Sequence, residues 1–125
     1  MVLAVNFFIG LVGVLHCLFF KLESIDFMKA KTLKRFGLSS EEGKVVKTWA
    51  FNQGFYNLFL ALGLFYSILL LNTGHVSEGK AVASVILFAI VGAATVLFFS
   101  APQKWTAALV QGLPALIGLI LLSFL

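Results

Sequence analysis

The chain has 125 residues, 61% of them hydrophobic and only 11% charged, which leaves room for one domain and excludes an ordinary soluble one. A domain this short keeps a large surface for its volume and could not hide so much apolar side chain from water. The formal charge of +4 does not point to nucleic acid, because the basic residues lie mainly between apolar stretches, where they act as topology signals.

The first apolar stretch, residues 2–22, is broken only by Asn6 and His16. No basic region precedes it. Lys21, Glu23 and Asp26 follow it where a signal peptide would carry a small-residue cleavage site, so it is expected to stay as a helix. It holds Cys17, the single cysteine, which reads as a small buried apolar residue. Residues 23–48 form a long charged connection able to carry a short interfacial helix. Within it, Phe36, Gly37, Leu38 and Ser39 followed by Ser40, Glu41 and Glu42 read as a helix stop, then a serine N-cap with acidic residues in the next turn.

The second stretch, 49–71, carries Asn52, Gln53 and Asn57 near its start. A short polar connection, 72–80, leads to an uncharged third stretch, 81–100. A tight turn at 101–104 follows, where Pro102 ends the helix. The fourth stretch, 105–125, carries Gln111 and Pro114. Each stretch is close to the ~20 residues a helix needs to span hydrocarbon. Helices are required because lipid offers no partner for backbone N–H and C=O groups. The expected fold is therefore all-α: an integral membrane bundle of four transmembrane helices in one domain, with a short interfacial helix in the first connection. Gly13 to Phe20 resembles Gly92 to Phe99, and Gln53-Gly54 resembles Gln111-Gly112, a pattern that two fused helical hairpins would leave.

Lysine and arginine set the orientation. Lys21, Lys29, Lys31, Lys34, Arg35, Lys44 and Lys47 belong to the first connection and its edges, and Lys104 to the third. The other side has only Lys80. The positive-inside rule puts the first and third connections in the cytoplasm and both termini outside, with Trp49 and Trp105 at the cytoplasmic interface.

Polar side chains gather toward that side. His16 and Gln111 each lie roughly 6 Å to the cytoplasmic side of their helix centres. Glu23 follows His16 by about two turns, on nearly the same face. Gln53 and Asn57 share one face of the second helix, Asn52 and Tyr56 an adjacent one, and Thr95 falls in the same half of the third. Polar groups in a bilayer face other helices or a wet cavity. Two readings follow: the amides bond between helices and fix the bundle, or they line a pocket open to the cytoplasm. An ionisable pair such as His16 and Glu23 inside a membrane points toward function, although a histidine can also simply donate to a carbonyl.

No metal or cofactor is expected. His75 lies on the opposite side from His16, and His16 with Glu23 gives too few ligands for a closed zinc site. Haem ligation by His16 has no second signature. No phosphate loop, nucleophile elbow or dinucleotide fingerprint is present. Gly10, Gly13, Gly54, Gly63, Gly92, Gly112 and Gly118 allow close helix approach. Pro114 should bend the fourth helix and free the carbonyl of Val110 beside Gln111.

His16 and Glu23, the run Lys34-Arg35-Phe36-Gly37-Leu38, the run Asn52-Gln53-Gly54-Phe55-Tyr56-Asn57, and Val110-Gln111-Gly112-Leu113-Pro114-Ala115 together resemble the bacterial domain-of-unknown-function 1304 family of small membrane proteins. The resemblance covers nearly the whole chain. It departs at Ser24-Ile25-Asp26-Phe27-Met28, where family members often carry a methionine, aromatics and a proline. It implies a four-helix membrane protein and implies no activity; the expected location is the bacterial inner membrane.

Three functional readings remain. The first is a non-enzymatic protein that binds or transports a small lipophilic or weakly polar molecule. Its pocket lies in the cytoplasmic half and uses His16, Glu23, Asn52, Gln53, Tyr56, Asn57 and Gln111. Four short helices enclose little volume, so a homodimer with a shared cavity is expected, with the lipid bilayer as the other partner and no nucleic acid. The second is a membrane-embedded enzyme with His16 as acid/base and Glu23 orienting it. The third is a structural subunit of a larger complex.

Overall fold

Hydrocarbon leaves backbone amides no solvent partner, and the chain is helical nearly throughout. The computed structural model describes residues 1–125. Helix α1 runs Val2–Phe20 and passes into a π-helical turn, Lys21–Ile25, where the Asp26 N–H donates to the Lys21 carbonyl at 2.8 Å. The short α2 (Ala30–Phe36) and the long α3 (Ser40–Asn72) follow. Next come α4 (Val76–Ser100), a 3-10 turn (Pro102–Lys104) and α5 (Trp105–Ser123). There is no strand. Four segments are long and apolar enough to cross a membrane: Val2–Ile25, Ser40–Asn72, Val76–Ser100 and Pro102–Ser123.

The helix ends follow local chemistry. Gly37 closes α2 in the left-handed region at φ 73°, its N–H on the carbonyls of Leu33 and Lys34. Ser39 then caps α3 with a reciprocal pair. Its hydroxyl accepts from the Glu42 N–H at 3.2 Å, and the Glu42 carboxylate accepts from the Ser39 N–H at 2.8 Å. Glu41 and Glu42 also face the positive end of the helix dipole. From this cap α3 continues unbroken for 33 residues, starting nine positions before the expected residue 49. The apolar stretch marks the depth of hydrocarbon, whereas the helix extends as far as its cap. The same holds for α4. Gly74, at φ 89°, turns the chain, and α4 begins at Val76 instead of residue 81. Pro102 ends α4 as expected, and α5 continues through Pro114.

The contacts divide the chain into two compact units, one of Met1–Leu15 with Leu62–Leu125 and one of His16–Ala61. In the first, Val5, Ile9, Val12, Leu64, Leu87, Ala115 and Leu122 are buried, and α4 packs along α5. Backbones come close at Gly79, where a Cβ would stand 2.9 Å from the Leu71 nitrogen and 3.0 Å from the Ser67 oxygen. A Cβ on Gly13 would meet the Phe65 ring at 2.7 Å, and one on Gly112 would meet the Ala94 methyl at 2.7 Å. Gly92, in the repeat of the Gly13 motif, has open space around it. Asn6 donates to the Asn72 side chain at 3.0 Å, and Ser67 to the Leu64 carbonyl at 2.7 Å.

In the second unit, aromatic rings and short polar bonds do the joining. Phe20 meets Phe55 edge-on at 5.1 Å, and Phe27 lies 5.8 Å from Phe36. Leu33 of α2 packs onto Gly43 of α3, where a Cβ would meet its methyl at 2.5 Å.

Candidate functional site

A stripe of small and apolar residues decides which polar groups of α3 turn inward. Gly54, Asn57, Ala61, Leu64, Ser67 and Leu71 are buried at steps of three and four, one face of a helix. Asn57 is the only amide on that stripe. Asn52, Gln53 and Tyr56 lie off it and are exposed, Tyr56 at 69%.

Asn57 finds its partner on the π turn that ends the first span. Its side-chain amide donates to the Glu23 carboxylate at 2.7 Å. One residue on, the Ser24 hydroxyl donates to the Phe51 carbonyl at 2.8 Å. Between these two bonds sits Gly54, and its missing side chain is what lets the turn approach. A Cβ there would collide with the Ser24 hydroxyl and stand 3.0 Å from the Ser24 nitrogen and 3.1 Å from the Glu23 Cβ. A π turn widens the helix by one residue per turn and is often found where function needs a displaced side chain. Here it presents Glu23 and Ser24 side by side to α3.

Glu23 is half-buried, and the group bonded to it is a neutral amide. A carboxylate has about four acceptor positions, so one amide leaves capacity for a further donor. His16 is fully buried and meets Phe19 edge-on at 5.4 Å. Of the residues expected to form one polar layer, Glu23 and Asn57 are thus brought together and His16 is enclosed. Asn52, Gln53 and Tyr56 stand on the outer surface of α3. Gln111 is half-buried in the other unit. Thr95, also in that unit, returns its hydroxyl to the Val91 carbonyl at 2.8 Å.

Sequence reasoning missed Ser24 and Gly54 as a matched contact. The signal was present in the spacing of Gly54, Asn57, Ala61 and Leu64. It also missed the Asn6–Asn72 pair, because hydropathy places Asn72 in a connection, whereas α3 runs to it.

Just past the π turn, Asp26 accepts from Lys21 and lies 2.8 Å from the Lys29 ammonium. The Lys21 hydrogen bond first, and then that of Lys29, hold its carboxyl below the usual aspartate range. A cavity of about 250 Å³ forms a groove between α4 and α5, lined by residues that include Val91, Thr95, Phe98, Leu109, Gly112 and Leu116. It is apolar, and its one hydroxyl is already bonded to its own helix.

Four span-length helices, with a carboxylate and an amide joined at the end of the first, define a multi-pass membrane protein. The chain belongs to the family described as protein of unknown function (DUF1304), whose model matches residues 10–123 and so takes in His16, Glu23, Asn57 and Gln111. No curated protein and no solved structure matches it.

Proposed function

We propose that the protein binds a small lipophilic or weakly polar molecule at the Glu23–Asn57 pair. The observation that carries this reading is the pair itself: a half-buried carboxylate within a spanning segment, bonded to an amide instead of a cation. Ionisable groups within a spanning segment are expensive and tend to mark a ligand or ion path. Glu23 retains acceptor positions for a hydrogen-bond donor or a cationic group on the ligand. The enclosed His16 lies on the same helix. Glu23 takes its hydrogen bond from Asn57, so the binding reading is put ahead of acid/base chemistry through His16.

The test is co-purification. Wild type and the Glu23→Gln and Glu23→Leu variants are extracted in mild detergent, and their bound small molecules are identified by mass spectrometry. A charge-assisted hydrogen bond contributes about 1.5–3 kcal/mol, so occupancy should fall roughly tenfold or more in Glu23→Leu. Equal small-molecule content in wild type and Glu23→Leu, or none in either, would overturn the reading.

The same reading orients the chain in a bacterial inner membrane with both termini outside and the first and third connections cytoplasmic. It rests on Lys29, Lys31, Lys34, Arg35, Lys44, Lys47 and Lys104 outweighing Lys80. In a Cys17→Ser background, a cysteine replacing His75 should react with a membrane-impermeant maleimide on intact cells, and one replacing Lys31 should not. The reverse pattern would invert the orientation.

A further inference from the structure

The positive-inside rule accounts for the number of cations in the first connection but not for their arrangement on a folded helix. On α2, Lys31, Lys34 and Arg35 stand at positions i, i+3 and i+4 and are all exposed, so they form one face. The opposite face holds Thr32 and Leu33, both buried, with Leu33 seated on Gly43 of α3 and Phe36 against Phe27. The helix is therefore pinned by its apolar side, and its basic side is presented as a unit.

Every acid between residues 21 and 48 is engaged elsewhere. Glu23 is bonded to Asn57, and Asp26 to Lys21 and Lys29. Glu41 holds Lys44 at 2.7 Å, and Glu42 is spent on the cap at Ser39. None of them is bonded to or ion-paired with Lys31, Lys34 or Arg35. The basic face is thus left open to an anion from outside the chain.

The fold also fixes how far from the bilayer that face can stand. Leu33 meets α3 at Gly43, roughly 9 Å of helical rise from Trp49. Trp49 is exposed and begins the apolar stretch of α3, the position an interfacial indole takes. The headgroup layer adds ~5–8 Å on each side of the hydrocarbon. The basic face thus lies at the outer edge of the headgroup layer, within reach of its long lysine and arginine side chains. Beside it, a groove of about 400 Å³ is lined by Ala30, Leu33, Lys34, Gly37, Leu38 and Ser40, so Lys34 borders both the basic face and this partly apolar recess.

We propose that α2 is a binding surface for anionic phospholipid headgroups, with Lys31, Lys34 and Arg35 as the contacting residues. It is separate from the Glu23–Asn57 site and does not depend on it. The phosphate and any further anionic group of the lipid bind the triad, and the glycerol region enters the recess beside Lys34.

The experiment uses the full chain in mild detergent, titrated with dioctanoyl phosphatidylglycerol, dioctanoyl phosphatidylcholine or inorganic phosphate, and reads the midpoint of thermal unfolding. Phosphatidylglycerol should raise the midpoint while the other two leave it in place. The K31Q/K34Q/R35Q variant should need roughly a hundredfold more phosphatidylglycerol for the same rise. A K80Q variant should respond as the wild type does. For the wild type, raising salt from 0.15 M to 1 M shortens the screening length from about 8 Å to about 3 Å and should remove the effect. This arm keeps the proposal testable should the triple variant not fold. An equal rise with phosphatidylcholine, an equal rise with inorganic phosphate, an unchanged response in the triple variant, or insensitivity to salt would each overturn it.

Discussion

In the unit made of Met1–Leu15 and Leu62–Leu125, helices meet where side chains are missing. Gly79 lies against backbone, Gly13 under the Phe65 ring and Gly112 on Ala94. In the unit 16–61, they meet through bonded polar groups at Glu23–Asn57, Ser24–Phe51, Asp26 with its lysines, and the cap at Ser39. Lipid tails are as apolar as leucine, so there is no hydrophobic drive between helices in a membrane, and close packing and hydrogen bonding are the means that remain. The two units draw on these means unequally: unit 16–61 adds several polar bonds to its close approaches at Gly43 and Gly54, whereas the other has the Asn6–Asn72 bond beside its glycines. The polar one contains the connection that leaves the hydrocarbon, where water and headgroups make charge affordable.

The comparison breaks most sharply at Gly79. Its added Cβ would meet the Leu71 side chain and also two backbone atoms of α3, which cannot rotate away. Gly79→Ala should destabilise by about 2–3 kcal/mol, the upper part of the range for overpacking a close contact. Gly92→Ala on the same helix meets open space and should gain up to ~1 kcal/mol from helix propensity. Thermal or denaturant unfolding in detergent reads both. Two substitutions of the same kind on α4 with the same sign would mean that this unit is not held by close approach.

Asn57→Ala probes the other means. It leaves the Glu23 carboxylate without its amide and should cost about 1–2 kcal/mol, less than Gly79→Ala because Glu23 is only half-buried. In a Glu23→Leu background the same change should cost much less, and that non-additivity is the signature of the bond. Equal losses in both backgrounds would assign Asn57 to packing alone.

The four spans were legible because hydrocarbon imposes a length and a composition, and both are written in the sequence. So were Gly37 and Ser39, whose roles depend on neighbours a few residues away. The start of α3 was not, because Glu41, Glu42, Lys44 and Lys47 look like a loop to any reading by hydropathy, although a capped helix outside the membrane accepts them. The site was legible in part. Glu23 and Asn57 both stand out as polar groups in the sequence, but so do Asn52, Gln53 and Tyr56, and only the buried stripe through Gly54, Asn57 and Ala61 separates Asn57 from its neighbours. The π turn at Lys21–Ile25 had no local signal in the sequence. It is visible only with Gly54 packed against it.

The smallest effect is the most selective between the two units. Lys21 and Lys29 favour the charged form of Asp26, so its folded pKa lies below that of an unfolded aspartate, about 3.9. A group of this kind stabilises fully above the unfolded value, and the contribution is lost as pH falls through the folded one. Between pH 7 and 5 the first connection should therefore be unchanged, and below about pH 4 it should begin to loosen. Hydrogen exchange at the Lys29 amide, which donates to the Asp26 carbonyl at 3.0 Å, and at the first turn of α2 reads the loosening after correction for intrinsic rates. Asp26→Asn should flatten this pH dependence, while the amides of α4 around Gly79 should show none in either protein. Loosening of α4 over the same interval would mean that charge also holds the glycine-packed unit, and the division drawn between the two would fail.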